Sequence, residues 1–114
     1  MKQYIKNFPV EAVVSLAGQI EILPGQIVSK TLAQNSAVSL TLFAFDQGEE
    51  IGTHDSEGDA MVIVLEGTGE YTVDGITYEV KSGETLIMPA KKPHSVLAAQ
   101  AFKMLLIVIF PEDK

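Results

Sequence analysis

An all-β fold, a sandwich or barrel of short antiparallel strands, is what this sequence predicts, and three observations predict it. Runs rich in β-branched and aromatic residues recur at regular spacing from about residue 26 onward. Explicit turn signals separate those runs. Helical periodicity is nearly absent: only residues 8–23, "FPVEAVVSLAGQIEIL", have room for one short N-terminal helix, and Gly18 in the middle weakens it.

The strands follow in order. "QIVSKTLA" (26–33) alternates loosely. "AVSLTLFAF" (37–45) puts Val38, Leu40, Leu42 and Ala44 on one face and Ser39, Thr41, Phe43 and Phe45 on the other, so both faces carry apolar content. Then come "MVIVLEG" (61–67), "GEYTVDG" (69–75), "ITYEV" (76–80), "TLIMP" (85–89), "SVLAA" (95–99) and "FKMLLIVIF" (102–110). Asp74-Gly75 is a two-residue hairpin turn in which glycine supplies the positive φ. Asp46-Gln47-Gly48 and Lys81-Ser82-Gly83 mark two further reversals.

Strands that are apolar on both faces need cover on both. "MLLIVIF" (104–110) is the strongest case and is too greasy for a solvent-facing edge, so a homodimer is expected. The 114 residues suit a single domain, 1–114, with 26–110 forming the barrel. Residues 1–25 are then an N-terminal extension that packs on the barrel or on the partner.

Composition narrows the function classes. Eight basic against fifteen acidic residues give a net charge of −7, and the longest basic run is Lys91-Lys92, so no nucleic-acid partner is expected. Cysteine is absent, which excludes disulfides, thiolate metal sites and a cysteine nucleophile. The N-terminus has no apolar h-region, and the longest apolar run is too short to span a bilayer. No membrane partner and a cytoplasmic location are the expectations.

Two stretches share a spacing. The first runs from Gly48 through His54, Ser56 and Ala60 to Gly67; the second runs from Gly83 through Pro89, Lys91 and His94 to Ala98, with residues 68–82 between them. In this the chain resembles the cupin superfamily. The resemblance implies a double-stranded β-helix, the jelly-roll cupin barrel. It also implies a divalent metal such as Mn, Fe, Ni or Zn, held inside the barrel by two histidines and a glutamate of the first motif and a histidine of the second. Here His54 and His94 stand at two of the four ligand positions, while Ser56 and Ala60 stand at the others. Taking Met61 as the glutamate position instead restores no carboxylate. The metal set His54 and His94 is therefore incomplete.

Strand parity turns the neighbouring acids away: Ser56 shares a face with His54, whereas Asp55 and Glu57 face the other way, and Asp59 faces out unless a bulge near Gly58 re-aims it. Lys91 occupies a position where the family has glycine, and Ala98 stands in place of its asparagine. Ala60 and Ala98 together leave a roomier, less polar pocket formed by His54, Ser56, Ala60, Met88, His94, Ala98 and Met104, with Met61 a further wall candidate. His54 and His94 are also the candidate catalytic residues.

Three functions follow from these residues. The first is a small-molecule-binding barrel without a tightly bound metal. The second is a metal-dependent cupin enzyme, of dioxygenase, decarboxylase or isomerase type, whose two-histidine site is completed by water or substrate. The third is metal-free acid–base catalysis by one of the histidines.

Overall fold

The computed structural model describes residues 3–112. Nine strands follow one another along the chain: β1 (Ile27–Gln34), β2 (Val38–Phe45), β3 (Glu50–His54), β4 (Asp59–Glu66), β5 (Thr68–Val73), β6 (Ile76–Lys81), β7 (Thr85–Met88), β8 (His94–Leu97) and β9 (Phe102–Ile109). A five-stranded sheet of order β1-β2-β9-β4-β7 faces a four-stranded sheet of order β3-β8-β5-β6. All pairings are antiparallel. This is the jelly-roll barrel. Among the described residues no helix is long and apolar enough to cross a membrane.

β3 has no counterpart in the sequence reading. It is a short edge strand, exposed except at Ile51 and containing Gly52, so neither propensity nor alternation marks it. The N-terminal segment corrects a second expectation. Residues 8–23 form no α-helix; a 3-10 turn at Ala17–Gln19 is the only helical turn among the described residues. It surrounds Gly18, whose backbone N–H donates to the Ser15 hydroxyl.

The rest of this segment is an irregular strap across the outer face of the five-stranded sheet. Phe8, Leu16, Ile20 and Ile22 cover Leu32, Leu42 and Ala44. Two lysines pin the strap by donating to its carbonyls, Lys30 to Gln19 and Lys103 to Ala17, each at 2.8 Å. The outer face continues beyond the strap through Met61, Ile63 and Ile107 to Ile87 and Ile109, and the last two are more than half exposed.

The inner faces meet in one core. Phe45 and Phe102 stack at 4.7 Å, and Tyr71 meets Phe102 edge-on at 6.2 Å. Val62, Val64, Val73, Val80 and Val96 fill the space around them. The β5–β6 hairpin closes through Asp74-Gly75, with φ of 51° and 87°, which matches the strand twist. Gly58 is required for a different reason. A Cβ there would lie 2.2 Å from the Ile109 carbonyl oxygen, so only glycine lets the β3–β4 loop lie against the end of β9.

Candidate functional site

Antiparallel pairing builds the site. β3 and β8 run side by side with His54 opposite His94, after an irregularity between Ile51 and His54. On its other side β8 pairs with β5, where His94 faces Val73. The two imidazole rings lie 4.4 Å apart, centroid to centroid, tilted by 68°. His94 is buried, whereas His54 lies at the exposed edge.

Both rings are oriented from the backbone. His54 Nδ1 lies 2.8 Å from the Gly52 carbonyl oxygen, and His94 Nδ1 lies 3.1 Å from that of Lys92. A carbonyl oxygen only accepts, so each Nδ1 carries the hydrogen and donates it. In the neutral rings each Nε2 is then left with a lone pair, and neither Nε2 has a protein partner among the described residues. Burial, with His54 acting the same way, lowers the pKa of His94, while the Lys92 hydrogen bond and Asp55 oppose that shift.

Both rings line a cavity of about 250 Å³ between the two sheets. Its walls are mainly apolar: Phe43 from β2, Ile51 from β3, Ala60 from β4, Met88 from β7, Val96 from β8, and Met104, Leu106 and Val108 from β9. Tyr71 also lines the space, and its hydroxyl donates to the Met104 sulfur at 3.0 Å. Burial pushes that hydroxyl well above the ordinary value of 10, so it stays protonated. Ser56 and Ser95 complete the lining beside the histidines.

Of the residues singled out from sequence, His54, Ser56, Ala60, Met88, His94 and Met104 share this cavity. Ala98 does not. It is fully buried, and its backbone pairs with Gly48 and Glu49, which places it in the core away from the cavity lining. Met61 also lies elsewhere, because it alternates with buried Ala60 and Val62 and so faces outward. Ser56 lines the cavity, but its hydroxyl donates to the Gly58 carbonyl at 2.7 Å.

The acids do not line the cavity. Asp55 and Glu57 are exposed, and Asp59 caps the β7–β8 loop by accepting from the Ala90 N–H at 2.8 Å. Lys91 in that loop has a φ of 68°, the left-handed region that favours glycine, and its N–H donates to the Ser56 carbonyl. The two loops that present the histidines are thereby tied together.

This geometry has relatives. Residues 41–110 match the cupin domain family. The chain belongs to the cupin family. It is similar to a conserved protein of unknown function from Streptococcus pyogenes, at 44% identity and a TM-score of 0.95, with 98% of each chain covered. A cupin superfamily protein from Desulfitobacterium hafniense is 33% identical at a TM-score of 0.90, over 94% of this cupin and 98% of that chain. Similarity also extends to the dimethylsulfoniopropionate lyase DddW of Ruegeria pomeroyi, at 26% identity over 90 residues. That match takes in 75% of this chain and spans 59% of the lyase's length.

Cupins commonly hold a divalent metal, and the donor set here can be tested against one. The two Nε2 lone pairs suit a metal, and an Nδ1–H bound to a backbone carbonyl is the usual support for a metal-ligating histidine. The rest of the set is missing. Ala60 offers no carboxylate, Ser56 is engaged with Gly58, and no group of three His, Cys, Asp or Glu comes together among the described residues. Zinc and non-heme iron sites ordinarily need at least three protein ligands. The residues present do not fit a tightly held resident metal.

Sequence reasoning missed most of the apolar walls. Leu106 and Val108 were within reach, because they share strand parity with Met104. Phe43, Ile51 and Tyr71 were not, since their place in the lining depends on how the two sheets face each other.

Proposed function

We propose that this cupin binds a small, largely apolar organic molecule inside the barrel, with the polar end of the molecule set against His54 and His94. One observation carries the reading: an apolar cavity of about 250 Å³ is lined by two imidazoles whose Nε2 atoms have no protein partner among the described residues. An apolar cavity of roughly 150 Å³ is enough to hold benzene, so a ring with a short polar substituent is within capacity. Native mass spectrometry of gently purified protein, together with ligand-observed NMR of an aromatic fragment set, tests the proposal. Ala60→Leu fills the cavity from β4 and is the control. Fragments that bind wild type and lose binding in Ala60→Leu support the reading; binding that the substitution leaves unchanged overturns it.

A second reading is favoured by the free Nε2 pair itself. In it, His54 and His94 serve an enzyme, either as general bases or as half of a metal shell that water or substrate completes. The similarity to a lyase is compatible with the base role, because an elimination needs a group that takes up a proton. Elemental analysis and titration with Mn, Fe, Ni and Zn separate the two. Near-stoichiometric metal in wild type that is lost in His54→Ala selects the metal enzyme, and no uptake favours the metal-free pocket.

A further inference from the structure

The orientation of the two histidines says what kind of polar group the cavity accepts. We infer that the site selects a ligand whose polar end is a hydrogen-bond donor, an alcohol or an amine on a small apolar body, and rejects a carboxylate; this rests on the small-molecule reading above.

The backbone sets this preference. The carbonyls of Gly52 and Lys92 each hold an Nδ1–H, so both protons of the neutral pair are spent on the protein. What remains toward a ligand is two lone pairs. The other polar side chains of the lining do not offset this: Tyr71 gives its proton to Met104, Ser56 gives its proton to Gly58, and Ser95 alternates with buried His94 and Val96, so its hydroxyl faces the other side of β8. A carboxylate placed here would meet two acceptors and no free donor from these side chains, while the apolar walls strip away its water. A hydroxyl or an ammonium meets the lone pairs it needs.

Net charge acts in the same direction: the protein carries −7, while near the rings the exposed Asp55 and Glu57 beyond His54 are matched by the exposed Lys91 and Lys92 before His94. At about pH 8, where an imidazole is neutral, each ring offers a lone pair and not a positive charge.

Two measurements test the inference on the intact protein. Imidazole ¹⁵N shifts of wild type at about pH 8, where histidine is neutral, report the tautomers directly. Both rings are expected as Nδ1–H; an Nε2–H form at either ring overturns the inference whatever the protein binds. The second measurement is binding of toluene, benzyl alcohol, benzylamine and benzoate at the same pH. The alcohol and the amine are expected to bind about tenfold more tightly than benzoate, and more tightly than toluene. His54→Leu is expected to shrink the advantage of the alcohol while toluene still binds. Benzoate binding as well as the alcohol, or an advantage unchanged in His54→Leu, overturns the donor rule but leaves the apolar pocket standing. If no member of the series binds, toluene included, the pocket reading itself falls and the donor rule falls with it.

Discussion

Ala60→Glu tests whether the missing carboxylate is what separates this barrel from a metal site. Ala60 is 2% exposed and lines the same cavity as both histidines, so the substitution adds a third donor to the two Nε2 atoms. The cavity of about 250 Å³ has room for the added atoms, and the cost is one of desolvation, not overpacking. A buried carboxyl with only part of its hydrogen bonding met costs about 1–3 kcal/mol. For a chain of 114 residues each kcal/mol moves Tm by about 4 °C. The metal-free variant should therefore melt about 4–12 °C below wild type. Zinc at about 100 times its Kd returns about 2.7 kcal/mol, or about 11 °C. Differential scanning calorimetry with and without zinc, paired with isothermal titration, reads both effects. The reasoning is refuted if wild type shows the same zinc-dependent rise, because two imidazoles would then suffice. It is equally refuted if Ala60→Glu melts lower and zinc returns nothing.

Four further outcomes are expected. Gly58→Ala drives a Cβ to 2.2 Å from the Ile109 carbonyl oxygen, so chemical denaturation should show a loss of about 2–4 kcal/mol. Lys91→Gly relieves a left-handed residue at φ 68° and should stabilise by about 0.5–1 kcal/mol in the same assay, because glycine's entropy cost offsets part of the relief. Burial first, then His54, lowers the pKa of His94 from its ordinary 6.5, so the unfolded chain takes up a proton that the folded chain refuses. Stability is then intact above about pH 6.5 and falls as pH drops through the lower folded value; His94→Gln should flatten that slope in urea titrations across pH. Finally, we propose that a second copy covers the outer face at Met61, Ile87, Ile107 and Ile109, a surface continuous with the strap, where Tyr4, Val10 and Val13 are also exposed. Sedimentation should give twice the 12.3 kDa chain mass for wild type and a shift toward one chain for Ile107→Lys; a monomeric wild type removes the proposal.

Most of the barrel was legible because its strands announce themselves twice, by propensity and by their turns. Asp74-Gly75 shows why: its two residues have positive φ, and the register Val73 to Ile76 follows from that turn. β3 was illegible because an edge strand with Gly52 at its centre is held by pairing with β8, a property of the partner and not of its own residues. The strap was misread for a related reason. "FPVEAVVSLAGQIEIL" has enough apolar residues for an amphipathic helix, but the sheet it covers supplies the contacts and the lysines that fix it in an irregular path. Local pattern specifies an element only where local forces decide its shape.

The site divides along the same line. That His54 and His94 meet was legible from their places in the two motifs, whereas the β3–β8 register that sets them opposite each other was not. What the pair does chemically turns on two carbonyls, those of Gly52 and Lys92, which no side-chain motif records. Parity suggested that Asp55, Glu57 and Asp59 turn away from the cavity. All three are exposed, yet β3 ends at His54, so for the loop beyond it the cause is loop geometry and not strand alternation. Asp59 is held outward by the Ala90 N–H, and Gly58 is pressed against β9. A loop fixed at both points cannot swing a carboxylate inward without breaking a hydrogen bond and a close backbone contact. The absence of a third ligand among the described residues is thus built into the backbone as well as into the side chains, and so the restoring substitution belongs on β4, at Ala60, and not among the acids that first draw attention.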